Sequence, residues 1–195
     1  KPSSAASDVY KRQVLTGVLI GFLFQALTSL VVTASGNAES TRGIMFWLLG
    51  VLGAARWHTL AAVIVVGTIG MVLMWILSRY LDALSLGSAT VSTMGVPVVA
   101  LRYTVLIAVS LMTAVTVASV GAIGFVGLIV PHAVRMLNTP RHSSLIPLSA
   151  LVGAITLVVA DAIGRVLFAP QELPVGVITA LIGVPMFFFI LQRKH

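Results

Sequence analysis

Residues 103–134 have the sequence YTVLIAVSLMTAVTVASVGAIGFVGLIVPHAV, which is 32 residues without a formally charged side chain. As one continuous α-helix this run would be about 48 Å long, well beyond the ~30 Å of hydrocarbon that a membrane helix has to cross. Gly121 and Gly124 interrupt the middle of the run. The run therefore predicts two shorter spans, at roughly 103–120 and 122–137, with a glycine-rich break between them.

The rest of the chain is equally apolar. Hydrophobic residues make up 58% and charged residues 9% of the 195 residues, whereas an ordinary soluble domain carries about a quarter charged residues. Four further charge-poor runs are long enough to cross a membrane once each, at 14–34, 59–78, 144–168 and 173–192. The predicted fold class is an all-α membrane protein, a polytopic bundle of six transmembrane helices. The apolar run at 43–55 is too short to cross and predicts a short helix on the outer face.

The distribution of basic residues predicts the orientation of these spans. With six spans and a cytoplasmic N-terminus, nine of the twelve Lys and Arg residues fall on the inner side and three on the outer side, which satisfies the positive-inside rule. A five-span chain would divide them six against six. The outer three are Arg42, Arg56 and Arg165. Both ends of the chain are therefore expected in the cytoplasm, on a multi-pass protein.

Composition also excludes several function classes. The net charge of +7 is spread singly or in small groups between apolar runs, so it predicts membrane anchoring and no nucleic-acid partner. The chain has no cysteine, which excludes disulfides and thiolate metal sites. No phosphate-binding GxxxxGK[ST] loop occurs, and only one aspartate is expected near membrane depth. We expect no enzymatic activity, no cofactor and no bound metal in this chain.

Four segments occur together and in the order of one known family. They are LDALSLGSATVSTMG at 81–95, GAIGFVGLIVPH at 121–132, LSALVGAITLVVADAIGR at 148–165 and ELPVGVITALIGVP at 172–185. Over roughly residues 43–192 the chain resembles the FecCD-type permeases, the membrane subunits of bacterial ABC importers for iron-siderophores, haem and vitamin B12. The residues that carry the structural part of this motif are Gly121, Gly124, Gly127, Pro131, His132, Asp161, Glu172 and Pro174.

The resemblance implies a permease subunit in the bacterial cytoplasmic membrane that imports an iron-siderophore or a related metal chelate. Its expected partners are an ATP-binding cassette subunit, an extracytoplasmic solute-binding protein, a second permease copy or homologous half, and the lipid bilayer. Within the family, haem and cobalamin import remain alternatives. Outside it, the alternative is a stand-alone secondary transporter or channel, although such proteins usually place ionisable residues near the membrane midplane.

The resemblance also suggests how the chain divides. The family's usual permease has about ten spans, and this chain is similar to the last six, so residues 14–195 are expected to be a permease domain whose early spans are missing. Residues 1–13, KPSSAASDVYKRQ, are polar and lack the apolar core of a signal peptide. We interpret them as a polar leader that is not native to the protein. The alternative is a genuine short cytoplasmic leader.

Residues 81–98 are expected to transmit movement from the ATPase subunit. The segment is Gly-punctuated and nearly uncharged, and a purely solvated loop would be more polar. In the family the corresponding loop docks into a groove of the ATPase, although here Ser88 stands where the family carries an acidic residue. The alternative is an ordinary turn. The candidate coupling residues are Leu84, Leu86, Gly87, Ser88, Met94 and Gly95.

Asp161 and Arg165 are spaced i,i+4, which favours an ion pair on one helix face. The family's arginine at the position of Arg165 contacts the solute-binding protein, so this residue is predicted to dock that partner as well.

The polar cluster of the first span consists of Gln25, Thr28 and Ser29. The family lines its translocation path with this helix, so these residues are candidates for that path.

The remaining motif residues are interpreted structurally. His132 is predicted to pack or to end a helix, with proton transfer as the less favoured alternative, because a lone histidine makes a poor metal site. Glu172 and Pro174 are predicted to begin the last helix, where a carboxylate suits the positive end of the helix dipole.

Overall fold

The computed structural model describes residues 3–34, 36, 38–85, 87, 91, 95–137, 141–167 and 173–192. Every regular secondary-structure element in these residues is helical. In chain order the helices are α1 (Ser3–Ala34), α2 (Ala38–Leu48), a 3₁₀ turn (Leu52–Ala54), α3 (Trp57–Leu84), α4 (Val98–Val120), α5 (Val126–Met136), α6 (His142–Leu167) and α7 (Val175–Gln192). The prediction of an all-α membrane protein is confirmed.

Four helices of the described residues are long and apolar enough to cross a membrane. They are Leu15–Ala34 of α1 and the whole of α3, α4 and α6, while Val126–Met136 and Val175–Phe188 are shorter apolar helices. The predicted count of six crossings therefore stays a prediction. At 11 residues, α5 rises only about 16 Å and cannot cross the hydrocarbon layer as a helix alone.

The long uncharged run breaks where the glycines predicted a break. Helix α4 ends at Val120, residues 121–125 are not helical, and α5 begins at Val126. The second predicted span, at roughly 122–137, is wrong in its first four residues because the backbone at Gly121 and Phe125 has positive φ angles of 83° and 66°, which an α-helix does not contain.

The chain divides into two compact units, Lys1–Met45 and Phe46–His195. The first contains α1, of which no described residue in the apolar part Leu15–Ala34 is buried by the chain itself. Helix α1 extends back to Ser3, through most of the polar leader predicted at 1–13.

The second unit is a bundle in which α3 packs against α4 and α6, and α6 packs against α5 and α7. Its core contains two small apolar clusters among the residues that the structure describes. One joins α5 to α6 through Val130, Val134 and Leu145, and the other joins α6 to α7 through Ala160, Val175 and Ile178. Helix α6 is therefore the central helix of the unit, because it contributes to both clusters.

Most other large apolar side chains of this unit remain exposed in the isolated chain. Ile69, Leu106, Ile155 and Val158 are examples, each more than half exposed. An exposed apolar surface of this extent suits contact with lipid or with further protein, and it fits a membrane helix bundle.

Candidate functional site

The two ends of the second unit are built differently, and each contains residues with a candidate function. At one end, which we call the glycine end, the chain after α2, the break at 121–125 and the start of α7 meet through their backbones. The amide of Val51 donates to the carbonyl of Val120 at 2.8 Å, and the amide of Gly176 lies 3.4 Å from the carbonyl oxygen of Gly50. Backbone bonds of this kind satisfy non-helical segments that water cannot reach.

Three glycines permit this close approach. A Cβ atom on Gly50 would lie 2.7 Å from the carbonyl oxygen of Ala122, and a Cβ on Gly121 or Gly176 would collide with the backbone carbonyl of Trp47 or Leu49. Gly50 and Gly121 also have positive φ angles, a conformation that disfavours any side chain. Gly121 is thus required by its conformation and by its contacts.

The other glycines of the 121–132 motif carry no such requirement in this chain. A Cβ on Gly124 or Gly127 would meet no atom within 4 Å. Pro131 lies inside α5, and His132 beside it is partly buried. The predicted packing or helix-end role of His132 and the proton-transfer alternative both stay predictions.

Asp161 and Arg165 form the ion pair that their spacing predicted. The Nε of Arg165 donates to Oδ2 of Asp161 at 2.8 Å, on the last turns of α6. The pair lies next to the glycine end, because the amide of Leu173 lies 3.4 Å from the carbonyl of Gly164. The Arg165 side chain is 48% exposed, so its charge remains accessible on this surface.

The start of α7 was predicted at Glu172 and Pro174. Pro174 is buried directly before the first helical residue, Val175, and its carbonyl accepts the amide of Val177 at 3.0 Å. Glu172 lies outside the described residues.

The candidate coupling loop follows α3. Leu84 is the last residue of that helix and is partly buried, and Gly87 and Gly95 have φ angles of 109° and 78°, so both turns favour glycine. Between them Val91 is fully buried. Leu86, Ser88 and Met94 lie outside the described residues. The predicted contact of this loop with an ATPase subunit stays a prediction.

The polar cluster of α1 bonds partly within its own helix. The hydroxyl of Thr28 donates to the carbonyl of Phe24, and the carbonyl of Ser29 accepts the hydroxyl of Thr33, both at 2.8 Å. Gln25 is exposed in the isolated chain. The assignment of these residues to a translocation path stays a prediction.

Sequence reasoning missed a polar cluster at the opposite end of the bundle, which we call the aspartate end. Oδ1 of Asp82 on α3 accepts two hydrogen bonds from the first residue of α6, His142: its backbone amide at 2.9 Å and its Nδ1 at 2.5 Å. On the other edge of the ring, Nη2 of Arg135 on α5 lies 3.3 Å from Nε2 of His142. Three helices are joined here by one imidazole.

The contacts of His142 are compatible with one tautomer. An arginine side chain can only donate, so a hydrogen bond from Arg135 to Nε2 requires the ring proton on Nδ1, which faces the Asp82 carboxylate. The side chains of His142 and Asp82 are 23% and 33% exposed, so the contact is partly shielded from solvent.

A second contact joins α3 to the start of α6. Pro147 lies inside α6 and has no amide hydrogen, which leaves the carbonyl of Ser143, four residues earlier, without its helical donor. The indole Nε1 of Trp75 donates to that carbonyl at 3.1 Å. A proline, a tryptophan and a backbone carbonyl therefore form one interhelical contact.

A cavity of about 640 Å³ lies at the aspartate end and is lined by Trp75, Ile76, Ser78, Arg79, Asp82, Arg141 and Ser143. The sequence signal for the cluster was weak. Asp82 is an acidic residue on the side expected to be basic, but its partner lies 60 residues away, and no spacing rule connects them.

Comparison with known proteins identifies the fold and its family. The FecCD transport family model matches residues 3–193. The chain belongs to the FecCD transport family. It is similar to the cobalamin import system permease protein BtuC of Halobacterium salinarum, with 42% identity over 93% of this chain and 48% of that protein. It is also similar to the Fe(3+) dicitrate transport system permease protein FecD of Escherichia coli, with 38% identity over 93% of this chain and 56% of that protein.

A solved structure of a metal-chelate type ABC transporter in an inward-facing conformation superimposes with a TM-score of 0.85 at 36% identity. The match covers 92% of this chain and 60% of the other. This FecCD chain thus spans about half the length of the curated relatives it matches.

Proposed function

We propose that this FecCD chain is part of the transmembrane permease subunit of a binding-protein-dependent ABC importer, which moves an iron-siderophore or a related metal chelate into the cytoplasm. The observation that carries the proposal is the family match over residues 3–193 together with named permease relatives at about 40% identity. The all-helical bundle agrees with it.

The two ends of the bundle support distinct roles in such an importer. The aspartate end contains the loop after α3, whose apolar residues and glycine turns suit insertion into an ATP-binding subunit. The glycine end presents the Asp161–Arg165 pair, whose exposed guanidinium suits an acidic partner such as a solute-binding protein. These two contacts would place ATP hydrolysis and substrate delivery on opposite membrane faces. A second permease copy or homologous half would complete the path.

The identity of the transported cargo is a separate part of the proposal. Relatives are named for cobalamin and for ferric dicitrate, and the structural neighbour is named for a metal chelate. All three names describe metal complexes. Cobalamin is the second candidate, because the H. salinarum relative at 42% identity is a cobalamin permease.

Uptake by reconstituted vesicles tests the function and the cargo together. The full-length permease is incorporated with its ATP-binding subunit and given its solute-binding protein with radiolabelled ferric siderophore, cobalamin or haem. We expect ATP-dependent accumulation of one cargo, and none with an ATP-binding subunit that cannot hydrolyse ATP. Accumulation by the permease alone would instead support the stand-alone transporter or channel.

A further inference from the structure

The aspartate-end cluster lies where an ATP-driven movement would enter this chain. Asp82 is two residues before the end of α3 at Leu84, and the candidate coupling loop follows directly. His142 begins α6, and Arg135 lies in the last turn of α5. One carboxylate therefore connects the base of the loop to the α5–α6 pair.

The bonds at this point hold the backbone of α6 and not only its side chains. The first amides of an α-helix have no acceptor within the helix. Asp82 supplies that acceptor to His142 from another helix, and thus acts as an N-cap residue in trans. Trp75 lies seven residues earlier on α3. Its indole N–H donates a hydrogen bond to the carbonyl of Ser143, which has no helical donor because residue 147 is proline.

These two contacts restrain the first turn of α6 in both directions along its axis. One holds an amide hydrogen and the other a carbonyl oxygen of adjacent residues, so α6 cannot slide along α3 without breaking at least one bond. Arg135 extends the restraint to α5 through the same imidazole.

Helix α6 runs from this restraint to the opposite end of the bundle. His142 and Arg165 are 23 residues apart on it, which corresponds to about 34 Å of helix. The same helix packs against α3, α5 and α7 and contributes to both apolar clusters of the unit. A displacement of its first turn would therefore reach both the Asp161–Arg165 pair and the glycine end.

We propose that Asp82 is a positioning residue of the transport cycle, which links the coupling loop to α6 through His142 so that movement of the loop displaces α6. The inference rests on the proposed function, since it needs an ATPase that moves the loop. It adds a named transmission point that the family match does not specify. The alternative is a static brace that only stabilises the bundle.

A series of substitutions separates transmission from static support. Asp82→Ala removes the acceptor for both His142 bonds, whereas Asp82→Asn keeps one acceptor oxygen and replaces the other, charged carboxylate oxygen with an uncharged amide nitrogen. The exchanged pair Asp82→His with His142→Asp restores an acid–imidazole contact in reverse. Ser144→Ala, an exposed position in the first turn of α6, is the matched control.

The measurement is cargo imported per ATP hydrolysed by the complete transporter in vesicles, with hydrogen exchange at the amide of His142 followed in the same preparations. For Asp82→Ala we expect a ratio at least about tenfold below wild type, with an ATPase rate within about twofold and faster amide exchange. Asp82→Asn should keep at least half of the wild-type ratio, the exchanged pair should recover part of it, and Ser144→Ala should match wild type.

The contrary outcomes are distinct. A static brace predicts that Asp82→Ala lowers assembly, ATPase rate and uptake together, or that it leaves the ratio unchanged, and either result would overturn the proposal. Unchanged amide exchange would show that the cap does not form. A wild-type transporter without ATP-dependent uptake would refute the proposed function, and this inference with it, before any variant is compared.

Discussion

The glycine end and the aspartate end of the bundle join distant segments of the chain in opposite ways. Both must bring together segments that lie far apart in the sequence, where unsatisfied backbone groups are costly. At the glycine end, missing side chains let backbones touch, as at Gly121 and Gly176. At the aspartate end, side chains with polar atoms reach across to the backbone of a neighbouring helix, as Asp82 and Trp75 do.

The difference has a consequence for movement. A junction of closely packed backbones tolerates no added atom and can shift only as one body. A junction of side-chain hydrogen bonds can follow small rotations of its helices through rotamer changes while its bonds stay formed. The comparison indicates a glycine end that moves as one body and an aspartate end that can pass a displacement of α3 on to α6.

The largest difference between the two ends is expected in their accessibility, because we expect them to lie on opposite sides of the membrane. The chain has no cysteine, so single cysteines can be introduced at Ala55, near the glycine end, and at Leu137, near the aspartate end; both positions are exposed. In intact cells we expect an impermeant maleimide to label Ala55→Cys fully and Leu137→Cys not at all. Equal labelling at both positions would refute the orientation. Labelling after lysis controls for reactivity.

The next largest effect is expected from the glycine end. Gly121→Ala adds a Cβ at a positive φ angle and against the carbonyl of Trp47. Strain and overpacking together should destabilise the protein by about 3 kcal/mol or more. Thermal unfolding in detergent measures it.

Gly127→Ala is the matched control for that substitution. It adds the same atom inside α5, where nothing lies within 4 Å of the added Cβ. Because alanine favours a helix more than glycine does, the free energy of unfolding should stay the same or rise by up to about 1 kcal/mol. Similar losses for both variants would mean that the junction does not depend on the absence of a side chain at Gly121.

A smaller effect is expected at the aspartate end from the Trp75 contact. Trp75→Phe removes the donor to Ser143 and should cost about 1 kcal/mol, as for a typical hydrogen bond. In a Pro147→Ala background the new amide of residue 147 can satisfy the same carbonyl, so the cost of Trp75→Phe should fall. A double-mutant cycle by thermal unfolding measures the coupling. If the free-energy losses of Trp75→Phe and Pro147→Ala simply add, Trp75 does not replace the helical donor that Pro147 lacks.

The smallest effect on stability is expected for the exposed ion pair. Arg165→Ala should destabilise the protein by less than about 1 kcal/mol, because exposed i,i+4 pairs contribute little. Arg165→Glu should instead slow association of the solute-binding protein and change its salt dependence. Surface plasmon resonance at two salt concentrations measures both. Unchanged association and salt dependence would exclude Arg165 from docking the solute-binding protein.

Sequence patterns predicted the elements well wherever local rules decide structure. Hydropathy located the long apolar helices, the glycines of the 103–134 run located its break, and i,i+4 spacing gave the Asp161–Arg165 pair. They did not predict that the break extends to Phe125, because a positive φ angle at a phenylalanine is imposed by its surroundings and not by its own preference. The short helix predicted at 43–55 is wrong in its bounds, because the structure has α2 at Ala38–Leu48 and only a 3₁₀ turn after it.

The membrane character, the helical fold class and the family follow from the amino-acid sequence, because apolar run length, glycine placement and motif order can be read along the chain. Which glycines are required and which polar residues meet depends on how the helices pack. Gly121 and Gly124 look equivalent in the sequence, but only Gly121 faces another backbone. Asp82 and His142 are 60 residues apart and satisfy no periodicity, so only the packing of α3 against α6 brings them together.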